Sequence, residues 1–422
     1  KLFNGIAQWD GDSLKWKSLG TGLQMGAGGA LSYAGEVNQL IDKDTLLIAG
    51  GYFDVGDSGT VVDMWTSQLG PRYLPLKNVG IWYKGSKKWG RMGSGTNGIV
   101  NAMLLIGDDV YVGGMFTTAG GFNTQLAKYN LVSKQWTSLD VTDEIWHLVT
   151  DGSAIYVTGH FIDLLPGDVQ CYGLAKYDLA SGTWSNISGS YIDHSISAIT
   201  ISGNYMYMAN YDGNALVKYD LTNNTYTVLH SDLLTSNGMG GIINSLTVSG
   251  NYLYIGGLFD GIGGIQSKNF AIYNLNTGVF SNQRRASNNI AGANGEVKYI
   301  TVYNDVVYAT GSFSILNKSF SSGLGTVAVP GSVTAMDNFV SKAQMANEIF
   351  CYPNPASSEI RIKDMNTSYT EIRIVNMLGD EVKKMQVKGD VAFGINDLEP
   401  GIYEVILVGD KDQKIQKLII QK

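Results

Sequence analysis

The sequence predicts an all-β protein in two parts, and three observations predict it. A glycine-and-aromatic signature recurs six times, with aromatic spacings of 63, 45, 50, 48 and 54 residues. A second signature, an aromatic followed by a turn and another aromatic, alternates with the first. Charge then rises: 21 of the last 74 residues are charged, against 46 of the first 348.

The first signature reads Ala49-Gly50-Gly51-Tyr52-Phe53 and Val112-Gly113-Gly114-Met115-Phe116. It continues as Val157-Thr158-Gly159-His160-Phe161, Met208-Ala209-Asn210-Tyr211, Ile255-Gly256-Gly257-Leu258-Phe259 and Ala309-Thr310-Gly311-Ser312-Phe313. The second runs through Ile6–Asp10, Val79–Trp82, Leu126–Asn130, Leu174–Asp178, Leu216–Asp220 and Phe270–Asn274. Each copy is answered by Trp16, Trp89, Trp136, Trp184, Tyr226 or Phe280. Turns such as Ser181-Gly182 and Asn223-Asn224 have hairpin chemistry. Apolar and polar residues alternate between these turns and helical periodicity is missing, so each unit reads as four short strands.

Four-stranded units of about fifty residues that stack on their neighbours read as a β-propeller. Six blades are expected over residues 1–329. Ile6–Trp16 would supply the outer strands of the blade whose inner strands are Val297–Phe313, a clasp that hides edge strands. Gly325–Val329 resembles a further third strand, which would change the clasp or make seven blades. Residues 330–348 read as a linker. Strand-like segments at Glu359–Lys363, Glu371–Asn376, Glu381–Val387, Val391–Ile395, Ile402–Val408 and Lys414–Gln421 read as a small Ig-like β-sandwich over residues 349–422.

The repeats resemble kelch-like and galactose-oxidase-type propellers, most closely those of bacterial surface proteins, over Gly5 to Phe313. A galactose-oxidase relative would need copper held by Tyr, Cys and two His. The histidines here are His147, His160, His194 and His230, with Cys171, and their spacing gives no shared site. Asp178–Trp184 has the wrong spacing for the Asp-box of sialidase-type propellers. Gly26–Gly29 precedes a strand rather than a helix, so it is no phosphate loop. No catalytic residue, metal or cofactor is therefore expected.

The net charge of −7 gives no footprint for nucleic acid. No apolar run reaches the roughly 18–20 residues of a membrane helix. The chain begins at Lys1 without a leader and reads as a trimmed product. Cys171 and Cys351 read as free, buried thiols.

Ligand candidates come from the innermost strands, where one register position holds Asn38, Asn101, Trp146, Ser197, Asn244 and Lys298 in turn. Such a ring could hold a small ligand at a channel mouth; alternatively its amides tie adjacent blades together. Trp146 with His147 is the least repeat-like pair. The long Asp54–Asn78 connection offers Trp65, and His160 falls on the same face, where exposed aromatics stack on sugars or grip a partner.

The tail opens with Tyr352-Pro353-Asn354-Pro355-Ala356-Ser357. It continues through Ile374–Val382 and Leu398–Leu407 to the basic-apolar end Lys414–Lys422. These pieces, in this order, resemble the type A C-terminal sorting domain of the type IX secretion system of Bacteroidota. The resemblance implies export of a folded cargo through an outer-membrane translocon barrel and collection by an outer-membrane shuttle barrel protein. A sortase-like peptidase then removes the domain and attaches the cargo at the surface. Recognition would fall on Pro353, Asn354, Pro355, Gly379, Asp380, Pro400, Gly401 and Lys422. The chain thus reads as a secreted cargo whose propeller binds a glycan or a protein without catalysis. A secreted glycan-active enzyme and a purely structural surface protein are the alternatives.

Overall fold

The computed structural model describes residues 4–10, 15–26, 33–62, 69–160, 163–164, 169–171, 173–187, 196–210, 215–231, 233, 240–281, 291–316, 319–320 and 323–329. In the tail it describes residues 351–353, 356–362, 369–376, 381–387, 390–409 and 413–421. The described residues contain strands and turns and no helix, so none is long and apolar enough to cross a membrane.

Five consecutive antiparallel four-stranded sheets follow the repeat. Sheet I is Glu36–Lys43, Leu46–Tyr52, Val79–Tyr83 and Lys88–Arg91. Sheet II is Ile99–Ile106, Asp109–Met115, Leu126–Asn130 and Trp136–Val141. Sheet III is Ile145–Thr150, Ala154–Gly159, Leu174–Asp178 and Trp184–Asn186. Sheet IV is Ile196–Ser202, Tyr205–Asn210, Ala215–Asp220 and Thr225–His230. Sheet V is Ile242–Ser249, Tyr252–Leu258, Phe270–Asn274 and Val279–Ser281.

The two signatures have separate physical causes. The aromatics of the second are directly opposed cross-strand pairs, the unit of sheet stabilisation. Trp82 faces Trp89, Tyr129 faces Trp136, Tyr177 faces Trp184 and Tyr273 faces Phe280, with ring centroids 4.7–5.4 Å apart. The indole of Trp136 also donates to the Met92 carbonyl at 2.9 Å, tying sheet II to the end of sheet I.

The glycine pair is set by close approach. A Cβ on Gly114 would lie 2.1 Å from the Ile99 carbonyl oxygen of its own sheet, and one on Gly113 would lie 2.6 Å from Ile145 of the next. Gly51, Gly257 and Gly311 meet backbone oxygens in the same way at 2.0–2.1 Å. The first glycine therefore lets consecutive sheets pack, and the second lets the inner two strands pair.

Consecutive sheets share cores. Ile48, Val79 and Ile81 of sheet I cluster with Val100, Met103 and Val112 of sheet II. Sheets II and III, III and IV, and IV and V share equivalent clusters. Cys171 is buried in the second of these and forms no disulfide.

Two expectations need correction. The last repeat, Val297–Tyr303 and Val306–Gly311, takes Leu324–Ala328 as its third strand. The N-terminal hairpin, Ala7–Asp10 with Lys15–Ser18, forms its own two-stranded sheet, so it does not make the expected clasp. Its Trp9 and Trp16 are each 46% exposed, although Trp82 and Trp89 in the equivalent places are 6% and 2% exposed. The Asp54–Asn78 connection is largely a hairpin, Val55–Val62 with Leu69–Pro75, attached to Leu23–Met25.

The chain divides into two compact units: residues 1–301 with 308–326, and residues 302–307 with 327–422. In the tail, Cys351–Tyr352, Glu359–Ile362 and Val391–Gly394 form one sheet. Glu381–Gln386, Tyr369–Asn376, Gly401–Gly409 and Gln413–Ile420 form a second, in that spatial order. Ile360 and Ile362 of the first share a core with Ile372, Ile374, Val405, Leu407 and Leu418 of the second. Six of these seven strands are the segments expected from the sequence; Cys351–Tyr352 is added.

Candidate functional site

The ring of inner-strand residues lies on a repeated β-bulge. The ladder slips at Asn38, Asn101, Trp146, Ser197 and Asn244, each an extra residue between two paired neighbours. A bulge frees a side chain and local backbone groups from the ladder. The three asparagines use that freedom to bridge sheets. Asn38 Nδ2 donates to the Val100 carbonyl at 2.9 Å, Asn101 Nδ2 to Ile145 at 2.9 Å, and Asn244 Nδ2 to Val297 at 3.1 Å. These residues join consecutive sheets, as the bridging alternative has it. Ser197 donates within its own sheet, to Ala209 at 3.4 Å. Lys298 is exposed.

Two neighbours that the sequence reading did not single out complete the bridges. Glu144 Oε1 accepts from Asn101 Nδ2 at 3.3 Å, and Glu296 Oε1 from Asn244 Nδ2 at 3.0 Å. Both glutamates stand just before an inner strand, Glu36 opens its own at the same register, and this repeat is visible once the units are aligned.

Trp146 departs from the pattern. Its ring lies against His160, with centroids 6.5 Å apart and planes inclined at 35°. His160 is exposed, and its backbone N–H donates to the Glu144 carbonyl at 2.9 Å. The structure thus brings Trp146, His160, Glu144 and Asn101 together. His147 belongs elsewhere: its ring bonds the Ser197 backbone, and loss of water around it lowers its pKa to about 4. The adjacent pair Trp146–His147 therefore acts as two separate residues. Trp65, Asn354, Pro355, Gly379, Asp380 and Lys422 lie outside the described residues. Among the described residues no cluster of three or more His, Cys, Asp or Glu could hold a metal.

A neutral imidazole has a consequence for stability. The unfolded chain takes a proton on His147 near pH 6.5 and the folded chain only near pH 4, so its contribution is complete above 6.5 and declines as pH falls towards 4. Wild-type stability should drop by on the order of 1 kcal/mol more than that of His147→Gln between pH 7 and pH 5. Urea midpoints at the two pH values read this directly; equal drops would show that the ring titrates normally.

In the tail, pieces far apart in sequence meet at Ile420. Gly401 pairs with Ile420 in the ladder, and Ala356 bridges Ile420 from the other side. The Ala356 N–H donates to Ile419 and the Gln421 N–H returns to Ala356, both at 2.8 Å. Gln416 clamps the opening segment, accepting from the Cys351 N–H at 2.8 Å and donating to the Cys351 carbonyl at 2.7 Å. Tyr403 ties the Pro400-Gly401 turn by donating to the Glu399 carbonyl at 2.9 Å. Pro353 and Pro400 are exposed beside these contacts. Asn376 pairs with Tyr403 at the same end.

Residues 351–421 match the family model described as "Secretion system C-terminal sorting domain". Residues 195–235 and 240–259 match the "LVIVD repeat", which places that repeat on sheet IV and the inner strands of sheet V. No curated protein matches the chain. Among solved structures, the chain is similar to the extracellular domain assigned to a hybrid two component system from B. thetaiotaomicron. That likeness has 10% identity and a TM-score of 0.48, and it covers 99% of this chain and 55% of the other. It is also similar to the computationally designed Ika8 protein, with 14% identity, a TM-score of 0.41 and coverage of 92% and 96%. The chain carries a C-terminal sorting domain of the type IX secretion system and is exported across the outer membrane to the cell surface or the extracellular space.

Proposed function

We propose that this protein is a surface-delivered recognition module: a kelch-like β-propeller of six or seven blades over residues 1–329, carried out by an Ig-like sorting domain over residues 349–422. The blades would be sheets I–V, the Val297–Ala328 sheet and, if there are seven, one that includes the N-terminal hairpin. The observation that carries the delivery half is the meeting of three motif pieces at Ile420. Recognition by an export machine needs a surface, and separate turns make one only when the fold assembles them.

On this reading the face around Pro353, Pro400, Gly401 and the final strand is what the translocon and shuttle barrels contact. Residues 330–348 are the segment a sortase-like peptidase reaches. The propeller binds a glycan or protein and performs no catalysis. Its support is the inner-strand register, where polar residues are spent on joining sheets and one aromatic pair stands apart.

Gly401 tests the face separately from the fold, because a Cβ there meets nothing closer than 3.6 Å. Gly401→Glu with Pro353→Glu should leave the tail folded by circular dichroism and reduce surface-delivered protein by at least about tenfold, with the difference found in the periplasm. Normal delivery of a folded double variant would remove this face from the proposal.

A further inference from the structure

Sheet III breaks the bridging rule at the place where it gains an aromatic pair. In sheets I, II and V the bulged asparagine caps a carbonyl of the following sheet. The indole of Trp146 cannot substitute for a carboxamide. The tryptophan is only half-buried and its neighbour His160 is exposed. In sheet III the bond to the next sheet comes instead from the adjacent His147 ring, on the Ser197 backbone, and the bulged position presents an aromatic surface.

Polar groups surround that surface. Glu144 is tied to it at both ends, through Asn101 on its carboxylate and His160 on its carbonyl. Asn101 occupies one carboxylate oxygen, which leaves the other as an acceptor. An aromatic platform beside a hydroxyl acceptor fits the two sides of a pyranose, whose C–H face stacks and whose equatorial hydroxyls donate. A carboxylate at this place disfavours the carboxylates of uronic and sialic acids.

We infer that Trp146 and His160 stack on a neutral pyranose of a glycan while the Glu144 carboxylate accepts hydrogen bonds from its hydroxyls. This rests on the reading of the propeller as a recognition module and names its ligand class.

The test screens the full chain on an array of neutral and acidic oligosaccharides and titrates the best neutral ligand by calorimetry. Trp146→Ala and Glu144→Gln should each weaken binding by about tenfold or more. Trp9→Ala, at the exposed N-terminal hairpin, should leave it unchanged, and thermal melts should show all three variants folded. If Trp146→Ala destabilises the chain, His160→Ala, on an exposed side chain, carries the test. Selective binding of acidic glycans, or full affinity in folded Trp146→Ala and His160→Ala, overturns the assignment. A displayed random peptide library separates the two levels. Peptides that bind at Trp146 in the absence of glycan binding overturn the ligand class and keep the recognition module. Binding of neither kind overturns both.

Discussion

Replacing Gly114 by alanine is expected to destabilise the first unit by about 3 kcal/mol or more. The added methyl would stand 2.1 Å from the Ile99 carbonyl oxygen, a backbone atom held by the inner ladder of sheet II. No rotamer relieves that contact, so the two inner strands must part or the bulge at Asn101 must reform. The bulge also places the amide that bridges to Ile145, so one methyl group acts on two sheets. Gly107→Ala is the matched control: it sits in the hairpin turn of the same two strands with φ +60 and nothing within 4 Å of its Cβ. It should cost only about 1–2 kcal/mol, the price of a left-handed backbone in an L-residue. Urea midpoints of the two variants should differ clearly. Equal losses would mean that the glycine pair is kept for backbone freedom alone.

The second large effect concerns the tail. Removing residues 351–422 should leave the first unit folded and abolish delivery, because sheets I–V are held by core clusters that, among the described residues, they share with one another. The truncated chain should accumulate in the periplasm, with surface protein below about a hundredth of the intact level. A milder lesion, Gln416→Ala, removes the clamp on Cys351 and leaves two buried backbone groups without it. It should lower tail stability by about 1–3 kcal/mol and reduce delivery in proportion to the unfolded fraction.

Much of this organisation was legible because it repeats. In sheets I–V the paired aromatics of the second signature fall on the third and fourth strands, since cross-strand pairing requires a fixed offset through a short turn. Leu324–Ala328 overlaps the segment whose sequence resembles a third strand, but Val327 stands where the other third strands carry an aromatic, so the pattern alone leaves that edge open to Ile6–Asp10. The Val55–Pro75 hairpin was read as a long loop because its strands have no counterpart of that length in the other units.

The candidate site was legible in part. Trp146 stood out as an exception to a repeating asparagine, but an exception in one strand does not show its neighbours. His160 is a strand away, and Glu144 acquires its role only through Asn101 of another sheet. The tail had the same limit. Its motif pieces were recognisable in order, yet their meeting at Ile420 depends on ladder partners from Gly401 and Ala356 that no local pattern reveals.

The central claim is that the tail is sufficient as an address. The direct measurement fuses residues 330–422 to a fluorescent protein that folds in the periplasm and follows it in a host with a type IX system. The account predicts fluorescence at the surface or in the medium, sensitive to external protease and lost with Gly401→Glu and Pro353→Glu. A fusion that stays in the periplasm while the intact chain is delivered normally would contradict it.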